Sequence, residues 1–180
     1  ETTDWSGTRD QATGQPISQA MRTWTVQSGS GVSTESSNQR KVFHDGTNLW
    51  SFYFDATNTV CEYSEDGTSW SDPSDAVFAT TGVRKVSVWY DPVDGVAYAI
   101  GDTSTSSQYI YIQSGSVDPD AQTISWAVSD VTLSGSSGSN MANKNSFISK
   151  DENGYLWIMA TSMIVNGKPT YELVTYQRNS

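Results

Sequence analysis

The feature that most constrains this chain is an internal repeat. Three tryptophans sit in similar surroundings, Thr23-Trp24-Thr25, Ser69-Trp70-Ser71 and Ser125-Trp126-Ala127, spaced 46 and 56 residues apart. A connection rich in Ser, Gly, Thr and Asp follows each. It leads to a strand-like run: Arg40-Lys41-Val42-Phe43, Arg84-Lys85-Val86-Ser87 or Asn145-Ser146-Phe147-Ile148. Each run meets a glycine turn, Asp45-Gly46, Asp94-Gly95 or Asn153-Gly154. Between apolar runs these pairs signal hairpins, because tight turns need residues that accept positive φ.

An aromatic or aliphatic second strand comes next: Leu49 to Phe54, Val96 to Ile100, or Tyr155 to Met159. A third follows at Thr59 to Tyr63, Tyr109 to Ile112, or Tyr171 to Tyr176, and the next tryptophan opens a fourth. Four short strands per repeat of about 40 to 50 residues is the pattern of β-propeller blades. Composition agrees. Seven Trp and nine Tyr among few charges suit pleated, half-buried surfaces, and no helical periodicity persists beyond a turn or two. The expected fold is all-β, with about three blades of four antiparallel strands.

The segment Ser64-Glu65-Asp66-Gly67-Thr68-Ser69-Trp70 resembles the Asp-box of sialidase-type (BNR) propellers, with one residue fewer between Asp and Gly. Gln113 to Trp126 is similar to a degenerate copy carrying an inserted Asp118-Pro119-Asp120, and Ser18 to Trp24 to a weaker one. The resemblance implies a structural motif: Ser64, Asp66 and Gly67 build the turn between third and fourth strands, and Trp70 inserts between blades. Trp24 and Trp126 mark the same position in the other repeats. In that family the boxes lie on the rim, away from the active site, so no residue is assigned a catalytic role.

The expected organisation is an N-terminal arm over residues 1–19, an outer strand at about 22–30, blade 1 at about 38–80, blade 2 at about 83–133, and an incomplete blade 3 at about 144–178. Three blades are too few to close a ring. The open ring therefore requires completion by another copy or by further sequence, since folded proteins avoid unpaired edges. Copies joined head to tail, the Trp24 strand of one completing the third blade of the next, form rings or filaments.

Twenty acids against ten bases give a net charge of −10, which argues against nucleic acid and anionic membrane as partners. No apolar run is long enough to span a bilayer as a helix. With one His (His44) and one Cys (Cys61), a His/Cys zinc site within the chain is excluded. Low Lys content and abundant Ser and Thr favour an extracellular or cell-surface protein. Arg40 and Arg84 begin corresponding strands and are candidate contacts for an anion or glycan carboxylate, with Lys144 near the third position. Glu62 and Glu172 fall on corresponding third strands. Tyr109, Tyr111, Trp50 and Trp157 are candidate sugar-stacking aromatics. The oxygen-rich turns Asp91 to Gly95, Asp118 to Asp120 and Asp151 to Gly154 are candidate calcium positions, although turn chemistry explains each without metal. Two functions follow as expectations: a non-catalytic structural, adhesive or assembly module, or a sialidase-like hydrolase fragment or glycan-binding lectin.

Overall fold

The computed structural model describes residues 40–103, 109–134, 146–163 and 169–176. The expected arm at 1–19, Trp24 with its strand at about 22–30, and Lys144 lie outside the described residues. The described chain is all-β, with no helix, and forms three antiparallel sheets, none of them closed.

Sheet 1 is a meander of β1 (Val42–His44), β2 (Leu49–Phe54) and β3 (Thr59–Ser64). Sheet 2 contains β4 (Arg84–Asp91), β5 (Val96–Asp102), β6 (Tyr109–Asp118), β7 (Thr123–Trp126) and β8 (Val131–Ser134). Its order is β4-β5-β6-β7, with β8 also paired to β6. Sheet 3 is β9 (Phe147–Lys150), β10 (Leu156–Met163) and β11 (Pro169–Tyr176), in the order β9-β10-β11. The hairpin glycines Gly46, Gly95 and Gly154 all have positive φ, at 112°, 64° and 86°. The turns need that backbone region, and side chains disfavour it.

The fourth edge is less regular than the repeat suggests. In sheet 1 no strand begins at Trp70. Instead residues 71–77 run beside β3, the N–H groups of Ser71, Ser74 and Val77 donating to the carbonyls of Tyr63, Cys61 and Thr59 at 3.0, 2.8 and 2.8 Å. The hydroxyls of Ser71 and Ser74 accept the N–H groups of Tyr63 and Cys61 at 3.1 and 3.0 Å, replacing the carbonyls of a ladder. Pro73 interrupts the segment and has no N–H to give. In sheet 2 the fourth edge is split: β7 pairs with the C-terminal half of β6, and β8 with its N-terminal half. Trp126 ends β7 rather than opening a strand. Among the described residues nothing borders the outer edge of β11.

The sheets stack through two apolar layers. Phe43, Trp50, Phe52 and Cys61 of sheet 1 meet Val86, Val88, Ala97 and Ala99 of sheet 2. On the opposite face of sheet 2, Tyr98, Ile100, Ile110 and Ile112 meet Ile148, Leu156 and Ile158 of sheet 3. This explains why β5 is apolar at every position from Val96 to Ile100: alternate residues point to opposite layers and both are covered. The first strands of the three sheets approach one another, β1 beside β4 and β4 beside β9. Phe43 stacks on Tyr90 across the first joint, with centroids 4.8 Å apart and planes inclined by 9°.

Trp126, rather than Trp70, occupies the space between sheets. Its ring meets Phe52 edge-on at 6.1 Å. It lies over Gly115 so closely that a Cβ there would sit 2.7 Å from both Ile124 Cγ2 and Trp126 Cε3. Trp70 is half-buried and lines the surface hollow beside its own turn.

Candidate functional site

The Ser64–Trp70 turn is built from one carboxylate. Thr68 and Ser69 donate their N–H groups to Asp66 Oδ1 at 2.7 and 2.8 Å, and the Ser64 hydroxyl donates to the same oxygen at 3.2 Å. The N–H of Gly67, at φ +71°, donates to Ser64 Oγ at 2.8 Å. The Ser69 N–H, then the hydroxyl and N–H of Thr68, hold the exposed Asp66 carboxyl well below the usual carboxylate range. Beside the turn lies an open hollow of about 320 Å³, lined by Tyr63, Glu65, Asp66, Ser69, Trp70 and neighbouring serines. Glu65 accepts a hydrogen bond from Gln122 of the β6–β7 turn. The side-chain amide of Asn48 donates to the carbonyl of Pro119 in that turn at 2.9 Å. The inserted Asp118-Pro119-Asp120 is thus part of a clasp between sheets 1 and 2.

The same turn chemistry recurs along the chain. Asp45 Oδ1 accepts the N–H groups of Thr47 and Asn48, and its Oδ2 accepts the Trp50 indole at 2.6 Å. Burial raises the Asp45 carboxyl, but these hydrogen bonds, led by Asn48 and Trp50, outweigh it and hold it below the usual range. Asp151 does the same in sheet 3, accepting Asn153 and Tyr155 N–H groups and the Trp157 indole at 2.9 Å. A hairpin aspartate bonded to an indole five or six residues later thus recurs in sheets 1 and 3, as Asp45…Trp50 and Asp151…Trp157.

The corresponding aspartate of sheet 2 has another partner. Asp91 takes the Lys150 ammonium of sheet 3, which also lies 2.8 Å from Asp94. Burial raises Asp91, and the hydrogen bond from Lys150 more than reverses it. The two carboxylates in turn push the Lys150 ammonium upward. Of the candidate calcium turns, this one is occupied by an ammonium. Asp118 accepts the N–H groups of Asp120 and Ala121, and Asp151 those just described. Among the described residues no three metal-ligating side chains cluster.

Arg40 and Arg84 are not equivalent. In hairpin register Val42 pairs with Ser51 and Val88 with Ala99, so Arg40 stands two residues before its reference valine and Arg84 four before. A register shift between Arg84 and Ser87, with Lys85 at φ +54°, separates them further. Each guanidinium crosses the first joint in the opposite direction. Arg40 lies 4.6 Å from the centroid of Trp89, and Arg84 lies 5.1 Å from that of Phe54. Such contacts contribute about 0.5–1 kcal/mol each at exposed sites and here brace the stacking of sheets.

Glu62 is hydrogen-bonded by the Tyr53 hydroxyl, a tyrosine–glutamate pair on the face of sheet 1 turned away from sheet 2. Burial, then Glu62, pushes the Tyr53 phenol above its ordinary range, the reverse of what a nucleophile needs at neutral pH. Glu172 lies on β11 opposite Ala160. The four candidate aromatics do not converge. Trp50 is buried in the first joint, Tyr111 packs against the same layer, Tyr109 is exposed on β6, and Trp157 is exposed on sheet 3.

No helix among the described residues is long and apolar enough to cross a membrane. Compared with protein families and with curated proteins, the chain matches none.

Proposed function

We propose that this chain is a run of Asp-box propeller blades with a structural, adhesive or assembly role outside the cell or at its surface, self-associating head to tail by strand complementation. The observation that carries the reading is the difference between sheet edges. Residues 71–77 line the outer edge of β3, and β7 and β8 line that of β6, whereas β11 has no such neighbour among the described residues. An outer strand supplied by a second copy, the one expected around Trp24, completes the pattern. Stacked sheets with converging first strands fit blades about an axis, and Asp66 serving a turn fits a rim position. The chemistry favours a non-catalytic role, because the tyrosine of the Tyr53–Glu62 pair is held protonated and the two arginines are committed to rings on different sheets.

Mass in solution tests this by sedimentation equilibrium over a wide dilution range. Self-association predicts a dimer or larger species that dissociates on dilution, and a folded monomer at every concentration would refute it.

One observation favours a second reading, glycan binding. The hollow beside the Asp-box presents the Trp70 and Tyr63 rings together with the Glu65 and Asp66 carboxylates. Aromatic faces beside hydroxyl acceptors suit a sugar. A glycan array and a sialoside hydrolysis assay test it, and absence of both binding and turnover would remove it.

A further inference from the structure

Hairpin register allows residues of the three sheets to be matched one to one. Trp50, Tyr98 and Trp157 occupy one position, opposite Phe43, Trp89 and Ser149. Phe52, Ile100 and Met159 occupy the next position on the same face. In sheet 1 the pair Trp50 and Phe52 is 2% and 1% exposed, covered by sheet 2. In sheet 2 the pair Tyr98 and Ile100 is 5% and 0% exposed, covered by sheet 3. In sheet 3 the pair Trp157 and Met159 is 37% and 47% exposed. The ring of Trp157 is nonetheless tethered by Asp151 just as Trp50 is by Asp45. Sheet 3 therefore carries the outgoing half of a joint made twice already, without its cover.

The incoming half is also repeated. Val88, Tyr90, Ala97 and Ala99 provide it in sheet 2, and Ile148, Lys150, Leu156 and Ile158 in sheet 3. By the same register the equivalents in sheet 1 are Val42, His44, Leu49 and Ser51. Of these Val42 is 40% exposed, His44 is exposed, Leu49 is half-buried and Ser51 is buried, so the open part of this face is its β1 side. The residue just before a hairpin aspartate reaches back to the preceding sheet: Lys150 bonds Asp91, and Tyr90 stacks on Phe43. The residue in that place on sheet 1 is His44.

We propose that the outer face of sheet 3 docks the outer face of sheet 1 of a second copy of this chain, with that copy's Val42 and Leu49 against Trp157 and Met159 and its His44 beside Asp151. The inference rests on the self-association reading and names its surface. The occupant follows from continuity with the two existing joints, because one chain carries an uncovered outgoing face at one end and a matching incoming face at the other. Such a contact is heterologous, so it propagates into a ring or a filament.

The test uses two charged substitutions at exposed positions on opposite ends, Met159→Glu and His44→Asp, with thermal melting to establish that each variant is folded. In sedimentation equilibrium each is expected to weaken association at least tenfold, since each buries a carboxylate in the joint, His44→Asp beside Asp151. A mixture of the two is expected to form a one-to-one dimer that neither forms alone, because one variant retains an intact sheet 3 face and the other an intact sheet 1 face. Wild-type assembly unaffected by both substitutions would overturn this surface while leaving self-association standing. A wild-type chain that never associates would overturn both.

Discussion

Gly115 offers the sharpest stability prediction, because two side chains of β7 converge on its missing side chain. A Cβ there meets the Ile124 methyl and the Trp126 ring at 2.7 Å, well inside contact distance. Neither neighbour yields easily. Ile124 is β-branched and sits on β7, paired with Val117, while the Trp126 ring is pressed edge-on against Phe52 of sheet 1. Overpacking of this kind costs about 1–3 kcal/mol. Replacing glycine returns about 0.4–1 kcal/mol by reducing the freedom of the unfolded chain. Gly115→Ala is therefore expected to destabilise by about 1–2 kcal/mol, which at about 2–4 °C per kcal/mol lowers Tm by roughly 2–8 °C. The assay is urea unfolding followed by tryptophan fluorescence, with Ile124→Ala as the second arm of a double-mutant cycle. Removing the Ile124 methyl makes room for the new Cβ, so the double variant should be more stable than the sum of single effects by about 0.5–1 kcal/mol. A neutral Gly115→Ala, or strict additivity in the cycle, would refute the proposed role of Gly115 in seating Trp126 between the sheets.

Three further outcomes are expected. Lys150→Met should cost about 1.5–3 kcal/mol near neutral pH through loss of charged hydrogen bonds to Asp91 and Asp94, read by urea unfolding. Because the folded Asp91 carboxyl is lowered, its contribution is present above the ordinary carboxylate range and is lost as pH falls through the lowered value, so this variant should also show a flatter acid limb of stability. Ser74→Ala removes the oxygen that accepts the Cys61 N–H and should destabilise by about 1–3 kcal/mol, with Ser71→Ala behaving alike at Tyr63, both measured by thermal melting. Cys61 is buried and its thiol pushed up to about 11 by desolvation, so a thiol reagent at pH 8 should label it only at the rate of unfolding. Rapid labelling of the folded chain would contradict that burial.

The parts of the fold legible in the sequence were those governed by local chemistry. The aromatic and aliphatic runs at Leu49 to Phe54 and Val96 to Ile100, each opened by a glycine turn, mark the strands. The Asp66 turn is readable because its hydrogen bonds span three residues. The fourth edges were not legible. Nothing local distinguishes Ser69-Trp70-Ser71 from Ser125-Trp126-Ala127, yet Trp70 remains at the surface and Trp126 enters the first joint. What separates them lies elsewhere: Pro73 and the two serine hydroxyls that replace a ladder after Trp70, and Gly115 across the sheet from Trp126. The apparent equivalence of Arg40 and Arg84 failed for a related reason. Identical Arg-Lys-Val strings stand at different distances from their hairpins, and the irregularity at Lys85 is invisible in residue types. The pairing of Tyr53 with Glu62 depends on cross-strand register, which fixes the face each residue takes. Among site features, the best signal left unused was the hairpin aspartate holding an indole, which recurs in sheets 1 and 3.

Linking two copies through the expected joint tests the central claim most directly. Across the first joint Phe43 stacks on Tyr90, and the same register places Ser149 of one copy against His44 of the next. One preparation carries Ser149→Cys and another His44→Cys, and the two are mixed with a short flexible bis-maleimide. Cys61, buried, stays out of the reaction. Facing sheets stand about 10 Å apart, farther than the Cα separation of a disulfide, and a short bis-maleimide spans that gap. A dimer linking position 149 of one copy to position 44 of the other, formed in the mixture well above the level of either homodimer, is the expected result. Cross-linking no greater in the mixture than in the separate preparations, while the wild-type chain still associates, would contradict the head-to-tail joint.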